Sequence, residues 1–242
     1  MNIIPAIDLL GGQAVRLQKG DYAKVTVYSE HPEEVAVGFA KSGARFLHVV
    51  DLDGAKSGKA DNYATVKRII ESTELSVEIG GGIRSMDTVS AYVEAGVDRI
   101  ILGTAALTDP EFLEEAVRRY GDRIAVGVDI KDGYVAIKGW TEVSAMTCDA
   151  FCQRLCDLGV KTVICTDISK DGMMSGTNLE LYRHLNESYD LDIVASGGVS
   201  SLEDVRALMD IGVFGAILGK ALYTGAIVLD EAVRITEGKN DN

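Results

Sequence analysis

Residues 76–107 read SVEIGGGIRSMDTVSAYVEAGVDRIILGTAAL, and residues 192–223 read DIVASGGVSSLEDVRALMDIGVFGAILGKALY. The two stretches align without a gap, 116 positions apart, and eleven of the 32 aligned positions are identical. The identities include glycines at four matched places: Gly81 and Gly197, Gly82 and Gly198, Gly96 and Gly212, Gly103 and Gly219. Identity in this order and spacing indicates an internal duplication.

Each copy predicts a strand, a glycine turn, a helix, a second strand and a second glycine turn. Ser85 and Ser201 stand where a helix N-cap is expected, and a glycine follows each helix. Glycine between a strand and a helix lets backbone N–H groups approach an anion at the positive end of the helix dipole. The two copies therefore predict two phosphate sites related by an internal twofold, while any one of these turns is also typical of an ordinary tight turn.

The rest of the chain continues the alternation of strand and helix. Apolar runs of strand length occur at eight places, near residues 2–8, 46–51, 77–79, 100–102, 124–129, 162–167, 193–195 and 216–218. Runs that are apolar throughout are typical of parallel strands buried on both faces. We predict an α/β fold, a closed (β/α)8 TIM barrel built from two duplicated half-barrels. A doubly wound open sheet is the alternative, but units one to four match units five to eight, which favours a ring.

No linker divides the chain, so we predict one barrel domain over residues 1–242, with half-barrels at about 1–121 and 122–236 and a frayed tail at 237–242. Residues 9–31 are expected to form a long loop with a small hairpin near 14–17. Residues 52–62 are expected to form a loop. After the fifth strand we expect a hairpin that turns at Asp132 and Gly133.

Composition limits the partners. A net charge of −13 argues against nucleic acid and anionic membranes, which require a basic face, but allows a small phosphorylated substrate. No apolar run approaches the ~20 residues of a membrane span, and the first strand follows Met1 directly, so we expect a cytoplasmic protein. We also expect a monomer, because no amphipathic stretch remains once the barrel helices are counted.

The cysteines and histidines do not predict a metal site. Cys148, Cys152 and Cys156 recur at helical spacing, and a core location is expected for them and for Cys165, because known metal-ligand spacings differ. The three histidines are scattered along the chain and none is expected to act in catalysis or metal binding. No dinucleotide fingerprint or P-loop occurs, so no cofactor is predicted.

Two aspartates end strands one and five of the predicted ring. Asp8 and Asp129 are mates in the duplication, and strands one and five lie opposite each other in an eight-stranded ring. Carboxylates on both sides of a substrate suit proton shuttling, provided that the pKa of the donor is raised well above ~3.9. The alternative is that each aspartate caps a helix or orders a loop.

Other polar residues are expected near the same strand ends. Thr166 is a candidate hydrogen-bond partner of a catalytic carboxylate, or else an ordinary β-strand threonine. Asp171 is a candidate substrate contact, whereas Asp51, Asp53 and Asp167 are expected to order loops.

Five further residues are candidate substrate contacts. Arg16 and Arg84 are placed in loops and could bind phosphates or surface acids, and Trp140 could stack on a planar ring or plug the core. Thr104 and Lys220 follow the second glycine turn of each copy. The predicted phosphate-binding set therefore comprises Gly81, Gly82, Gly103, Thr104, Gly197, Gly198, Gly219 and Lys220.

With these residues in place, the sequence resembles the ProFAR isomerase family of histidine biosynthesis. The resemblance covers residues 2–223 and rests on IPAIDLLGGQAVRLQKGDY, HVVDLDGAKSG, EIGGGIR, ILGTAAL, VGVDIKDGYVAIKGW, TDISKDGMMSGTN, ASGGV and ILGKALY, in that order. It implies an Amadori-type aldose-ketose isomerisation of a bisphosphorylated ribotide without metal, nicotinamide or flavin. It also implies Asp129 as general acid on the ribose ring oxygen and Asp8 as the base that removes the C2′ proton.

Three alternatives remain at this stage. The related cyclase family carries a cysteine before its first catalytic aspartate and a Val-Lys-Gly element after it, whereas here Ile7 precedes Asp8 and Arg16-Leu17-Gln18-Lys19 follows. A dual-substrate isomerase that also accepts phosphoribosyl anthranilate would use the same two aspartates. The third alternative is a non-catalytic barrel that binds phosphorylated metabolites.

Overall fold

The computed structural model describes residues 1–18 and 20–238. The tail that we expect to be frayed lies outside the described residues from residue 239 onward.

Within the described residues the chain forms twelve strands. They are β1 (Asn2–Leu10), β2 (Gln13–Gln18), β3 (Asp21–Ser29), β4 (Phe46–Asp51), β5 (Ser76–Gly80), β6 (Arg99–Leu102), β7 (Ile124–Lys131), β8 (Tyr134–Ile137), β9 (Glu142–Thr147), β10 (Thr162–Asp167), β11 (Asp192–Ser196) and β12 (Gly215–Leu218).

The same residues form eleven α-helices and one short 3-10 turn at Gly121–Arg123. The helices are α1 (Pro32–Lys41), α2 (Leu52–Ser57), α3 (Tyr63–Ser72), α4 (Met86–Glu94), α5 (Thr104–Thr108), α6 (Pro110–Tyr120), α7 (Cys148–Asp157), α8 (Leu179–Ser188), α9 (Leu202–Ile211), α10 (Lys220–Tyr223) and α11 (Leu229–Thr236).

Eight of the strands form a closed parallel ring. The order is β1-β4-β5-β6-β7-β10-β11-β12, and β12 pairs with β1 again, with Asn2 beside Gly215. The predicted (β/α)8 barrel is confirmed. Since β7 lies four strands from β1 in either direction, the two strands that carry Asp8 and Asp129 face each other across the ring.

Two apolar layers hold the barrel together. The larger one packs between the strands and the helices, and the smaller one fills the ring. The residues that fill the ring are Ile4, Ala6, Ile101, Ala125, Ile164, Val194 and Ile217, with Phe46 and Phe214 packed against them. A cavity opens above this filled interior at the carboxyl ends of the strands, which we call the mouth.

Local signals in the sequence placed several elements correctly. The side chains of Ser85 and Ser201 cap α4 and α9 by accepting the N–H groups of Thr88 and Asp204. Asp132 and Gly133 have φ values of 52° and 83° and join β7 to β8 in a tight antiparallel turn.

Two segments predicted as loops are ordered elements. Strands β2 and β3 pair as an antiparallel hairpin, longer than the small hairpin expected near 14–17. The side chains of β3 are largely exposed, so no alternation of buried and exposed residues indicates a strand. The segment expected to be a loop after β4 begins with α2, which is too short for a helical period to be recognised.

The predicted core location of the cysteines agrees with the structure for Cys148, Cys152 and Cys165, which are buried, while Cys156 is partly exposed. Among the described residues, no group of three or more potential ligand side chains is arranged to hold a metal ion. No helix in the described ranges has the length and apolar character needed to cross a bilayer.

Candidate active site

All of the residues predicted for the site line one cavity at the mouth of the barrel. They are Asp8, Asp129 and Thr166, with Arg16, Gly81, Gly82, Arg84, Gly103, Thr104, Trp140, Asp171, Gly197, Gly198, Gly219 and Lys220. Both copies of the duplicated stretch contribute to it. The carboxyl ends of parallel strands meet at one side of a barrel, so residues distant in sequence converge there.

Burial raises the pKa of both aspartates. Burial raises the pKa of Asp8 above its ordinary value, and the charge and hydrogen bond of Arg16 oppose this only in part. Burial also raises the pKa of Asp129, against the hydrogen bonds that its carboxylate accepts from Trp140 and Thr166. A carboxyl group with a raised pKa can donate a proton closer to neutral pH, which is what a general acid requires.

Arg16 lies in β2, not in a loop as the sequence indicated. Its guanidinium donates to Asp8 Oδ2 at 3.2 Å and to Asp171 Oδ1 at 3.2 Å, so one side chain joins the end of β1 to the loop after β10. The location of Arg16 in a strand was not predicted, because most of the segment that forms β2 and β3 was expected to be loop. In this position Arg16 orients the Asp8 carboxylate.

The glycine turns after β5 and β11 hold the backbone in conformations that other residues rarely adopt. Gly81 and Gly82 have φ values of 110° and 72°, and a Cβ on Gly82 would lie 1.7 Å from the carbonyl oxygen of Gly54. In the second half, Gly197 and Gly198 have φ values of 92° and 84°. These glycines are therefore required by close backbone packing, whatever the turns bind.

The second glycine of each copy precedes a short helix at the mouth. Gly103 precedes α5 with φ −95° and ψ −112°, and Gly219 precedes α10 with φ −106° and ψ −101°. The two turns thus repeat one backbone conformation. A Cβ on Gly103 would meet no atom within 4 Å, so the space in front of this turn belongs to the cavity.

The residues after these glycines fasten other loops to the mouth. Thr104 Oγ1 accepts the backbone N–H of Lys138, from the segment that joins β8 to β9, at 2.9 Å. Lys220 Nζ donates to the carbonyl of Gly172, in the loop after β10, at 2.9 Å. Arg84 donates to the carbonyl of Ala55 at 3.0 Å and lines the cavity with an exposed side chain.

Trp140 lies in the β8–β9 loop and covers one side of the mouth. It has a positive φ of 72°, and its ring lies 3.7 Å from the position of a Cβ on Gly20. The indole is half-buried and donates a hydrogen bond to the carboxylate of Asp129. Trp140 therefore does not fill the core, which was the alternative that the sequence allowed.

Asp51 and Asp167 order the loops after β4 and β10, as we expected. Asp51 accepts the N–H of Gly54 at 2.8 Å and the side-chain amide of Asn62 at 2.7 Å. Asp167 accepts the side-chain amide of Asn178 at 2.7 Å. The same aspartate–asparagine pair therefore anchors matched loops in both halves.

Sequence reasoning missed His48. It lines the cavity from β4, and its Nδ1 lies 2.7 Å from Glu78 Oε1 on β5. Its place in the middle of an apolar strand gave no functional signal. Side chains two residues apart on a strand point to the same face. Because Val50 lines the cavity, this alternation along β4 is the one signal that would have placed His48 there as well.

Comparison with known proteins agrees with this arrangement. The family described as "Histidine biosynthesis protein" matches residues 2–228. A relative from Lactococcus lactis subsp. cremoris is 50% identical over 99% of this chain and 98% of its own length. Relatives from Listeria monocytogenes (48% identical, 98% of this chain, 99% of its own) and Thermodesulfovibrio yellowstonii (47% identical, 98% of each) are similarly close.

All three relatives are named 1-(5-phosphoribosyl)-5-((5-phosphoribosylamino)methylideneamino)imidazole-4-carboxamide isomerase. The match of the family and of relatives over nearly the whole length extends across the barrel and its mouth. The chain belongs to the histidine biosynthesis protein family.

Proposed function

We propose that this chain is an aldose-ketose isomerase that converts the phosphoribosylformimino aminoimidazole carboxamide ribotide (ProFAR) to its phosphoribulosyl isomer in histidine biosynthesis. The relatives named above carry this activity in their names. The observation that carries the proposal is the pair of carboxyl groups, Asp8 and Asp129, which end opposite strands and line one cavity.

The first step opens the sugar. Asp129 donates its proton to the ribose ring oxygen, the bond between C1′ and that oxygen breaks, and the nitrogen lone pair forms an iminium at C1′. Burial keeps the pKa of Asp129 raised, so that a proton is available. The carboxylate left behind is stabilised by its hydrogen bonds from Trp140 and Thr166.

The second step moves a proton from carbon. Asp8 removes the C2′ proton, and the electron pair of that bond neutralises the iminium to give an enolamine. The enolamine then gains a proton at C1′ and loses the hydroxyl proton at C2′, which yields the ketose without net change in atoms. Arg16 holds the Asp8 carboxylate in place, and its charge favours the ionised form that a base requires, against the effect of burial.

The two ends of the substrate suit the two halves of the barrel. A ribotide with a phosphate at each end meets one turn at Gly103 and another at Gly219, each followed by a helix start. Backbone N–H groups at such turns bind phosphate without requiring a basic surface, which is compatible with a net charge of −13.

The test is turnover of the histidine-pathway aminoaldose by the purified chain, with phosphoribosyl anthranilate assayed in parallel. We expect strong activity on the first substrate and little on the second, and we expect the active species to be a monomer by light scattering. Comparable activity on both substrates would establish the dual-substrate alternative. Binding without turnover of either would support a metabolite-binding barrel and overturn the proposal.

A further inference from the structure

Three polar side chains lie side by side inside the barrel, beneath the cavity. His48, Glu78 and Arg99 stand on the neighbouring strands β4, β5 and β6, where His48 is paired in register with Glu78 and Glu78 with Arg99. Their side chains are 13%, 1% and 10% exposed, respectively. We call these residues the ionic triad.

Glu78 is the centre of the ionic triad. Its Oε1 lies 2.7 Å from His48 Nδ1, and its Oε2 accepts Arg99 Nε at 2.9 Å. Burial alone would raise the pKa of Glu78, but the hydrogen bonds from His48 and Arg99 and the charge of Arg99 lower it below its ordinary value. Glu78 is therefore an ionised acceptor, and the proton of the bond to His48 is on Nδ1.

Arg99 is fixed from several sides. Its Nη1 donates to Thr162 Oγ1 at 3.0 Å, and its Cζ lies 5.7 Å and 5.5 Å from the ring centroids of Phe46 and Phe214. A guanidinium that packs against two rings and donates to a hydroxyl is held next to its carboxylate. Arg99 therefore fixes the orientation of Glu78 from the side facing away from the mouth.

The second half of the barrel does without such a group. Residues 116 positions after the ionic triad are Ile164, Val194 and Gly215, and the first two are buried in the apolar layer that fills the ring. Burying an ion pair is often no more stabilising than packing apolar side chains of similar size. Because the same fold is built with apolar residues in one half, the ionic triad is not required to form a barrel strand.

We propose that Glu78 and Arg99 are positioning residues that hold the Nδ1–H tautomer of His48, so that Nε2 faces the cavity and binds a hydroxyl group of the sugar beside Asp8. His48 lines the cavity, as do Asp8 and Asp129. Its mate, Ile164, offers no such contact. The ionic triad therefore makes the two halves of a nearly symmetric site chemically different, as a substrate with two different ends requires. This inference rests on the proposed function.

A single substitution inverts the proposed tautomer. In Glu78→Gln, the amide oxygen must face Arg99, which can only donate, so the amide NH₂ faces His48. Nδ1 then has to accept, and the proton of a neutral imidazole moves to Nε2. We expect ¹⁵N NMR to show this exchange of the two ring nitrogens, and kcat/KM to fall by about tenfold or more, because Nε2 then carries the proton and can no longer accept a hydrogen bond from the substrate hydroxyl.

The chain has only three histidines, which makes the spectrum readable. Asp149→Asn is the matched control, because Asp149 pairs with exposed His184 at 2.6 Å on the outside of the barrel. It should change the signals of His184 alone and leave kcat/KM as in the wild type. An unchanged tautomer of His48 in Glu78→Gln would overturn the proposal.

A second variant covers the case in which Glu78→Gln fails to fold. The triple variant H48I/E78V/R99M places at positions 48 and 78 the residues found at the matched positions of the second half. Methionine at position 99 fills the space that the Arg99 side chain occupies beside the two rings. We expect a melting temperature equal to or above that of the wild type, with kcat/KM at least tenfold lower. Full activity in a folded triple variant would overturn the positioning role. Wild-type chain that fails to turn over the aminoaldose would instead overturn the proposed function, while the NMR result still reports on the tautomer.

Discussion

Thr166 and Asp129 stand at paired positions on the neighbouring strands β10 and β7, and the hydroxyl of Thr166 donates a hydrogen bond to the carboxylate of Asp129. This bond stabilises the ionised carboxylate, whereas burial stabilises the protonated acid, and burial prevails. The pKa of Asp129 therefore depends on two opposing effects, burial and hydrogen bonding, and a change at Thr166 can alter the second.

Thr166→Val tests that balance. The mate of Thr166 in the first half is Val50, so valine already occupies this place in the other half of the ring. Loss of the hydrogen bond should raise the pKa of Asp129 further, so that the acid stays protonated to higher pH. The alkaline limb of the kcat profile should therefore move upward in pH, and kcat should fall by about tenfold, since a charge-assisted bond is worth ~1.5–3 kcal/mol.

Thr236→Val, at the end of α11, is the control for this prediction and should leave the profile unchanged. An alkaline limb in Thr166→Val that stays in place or moves to lower pH would contradict the assignment of Asp129 as the acid.

Asp8→Asn and Asp129→Asn should each lower kcat by at least ~10²-fold, because asparagine can neither donate nor accept the proton. Both variants should remain folded. Since the pKa of Asp129 is raised in the folded state, its carboxyl group favours folding at low pH, and this contribution is lost as pH rises through the folded-state pKa. The melting temperature of Asp129→Asn relative to wild type should therefore increase with pH.

Calorimetry over a pH series measures that difference, with Asp122→Asn in an exposed turn as the matched control. Rates like those of the wild type in both active-site variants would refute the acid and base roles.

Gly103→Ala and Gly82→Ala separate ligand binding from folding. Alanine at Gly103 has no atom within 4 Å to collide with, so the free energy of unfolding should change by no more than about 0.5 kcal/mol. Its methyl group enters the cavity in front of the turn, where we expect a phosphate, and KM should rise by about tenfold or more. Alanine at Gly82 would collide with the carbonyl of Gly54 and should unfold the chain at markedly lower temperature. An unchanged KM in Gly103→Ala would place the phosphate elsewhere.

Asp51→Ala should be among the most destabilising single substitutions. Asp51 is fully buried and accepts hydrogen bonds from the N–H groups of Gly54 and Asn62 and from the Asn62 side chain. These donors would lose their partner in the interior, at a cost of about 3 kcal/mol or more. For a chain of this size the melting temperature should fall by roughly 6–12 °C. Asp61→Ala, at an exposed position in the same segment, should change it little.

Most of the fold could be predicted from the hydrophobic periodicity of the sequence and from its helix-capping and turn residues. Strands β4 and β10 and helix α3 begin and end where the apolar runs predict, because parallel barrel strands are buried on both faces. Pairing Asp8 with Asp129 needed only the order of the strands and the rule that functional residues lie at their carboxyl ends. The predictions of fold, isomerase class and family are confirmed, while the roles of individual site residues stay predictions.

The features that sequence reasoning missed depend on contacts between distant strands. The ionic triad depends on register between neighbouring strands, and nothing near His48 in the chain indicates that Glu78 lies beside it. Arg16 was misplaced because β3, its partner strand, is exposed and lacks a burial pattern. Contacts of this kind depend on which strands pair and in what register, so they cannot be predicted from the composition of a short stretch of sequence.

Arg99 packs against Phe46 and Phe214 at the end of the ring opposite the mouth, and apolar side chains fill the ring. For the described part of the chain, a ligand that enters the cavity must then depart through the same opening. An isomerisation retains every atom and both phosphates, so the departing ketose still fits the turns that received the aldose. Reaction progress curves should accordingly slow as ketose accumulates, and an enzyme that consumes the ketose would restore the initial velocity.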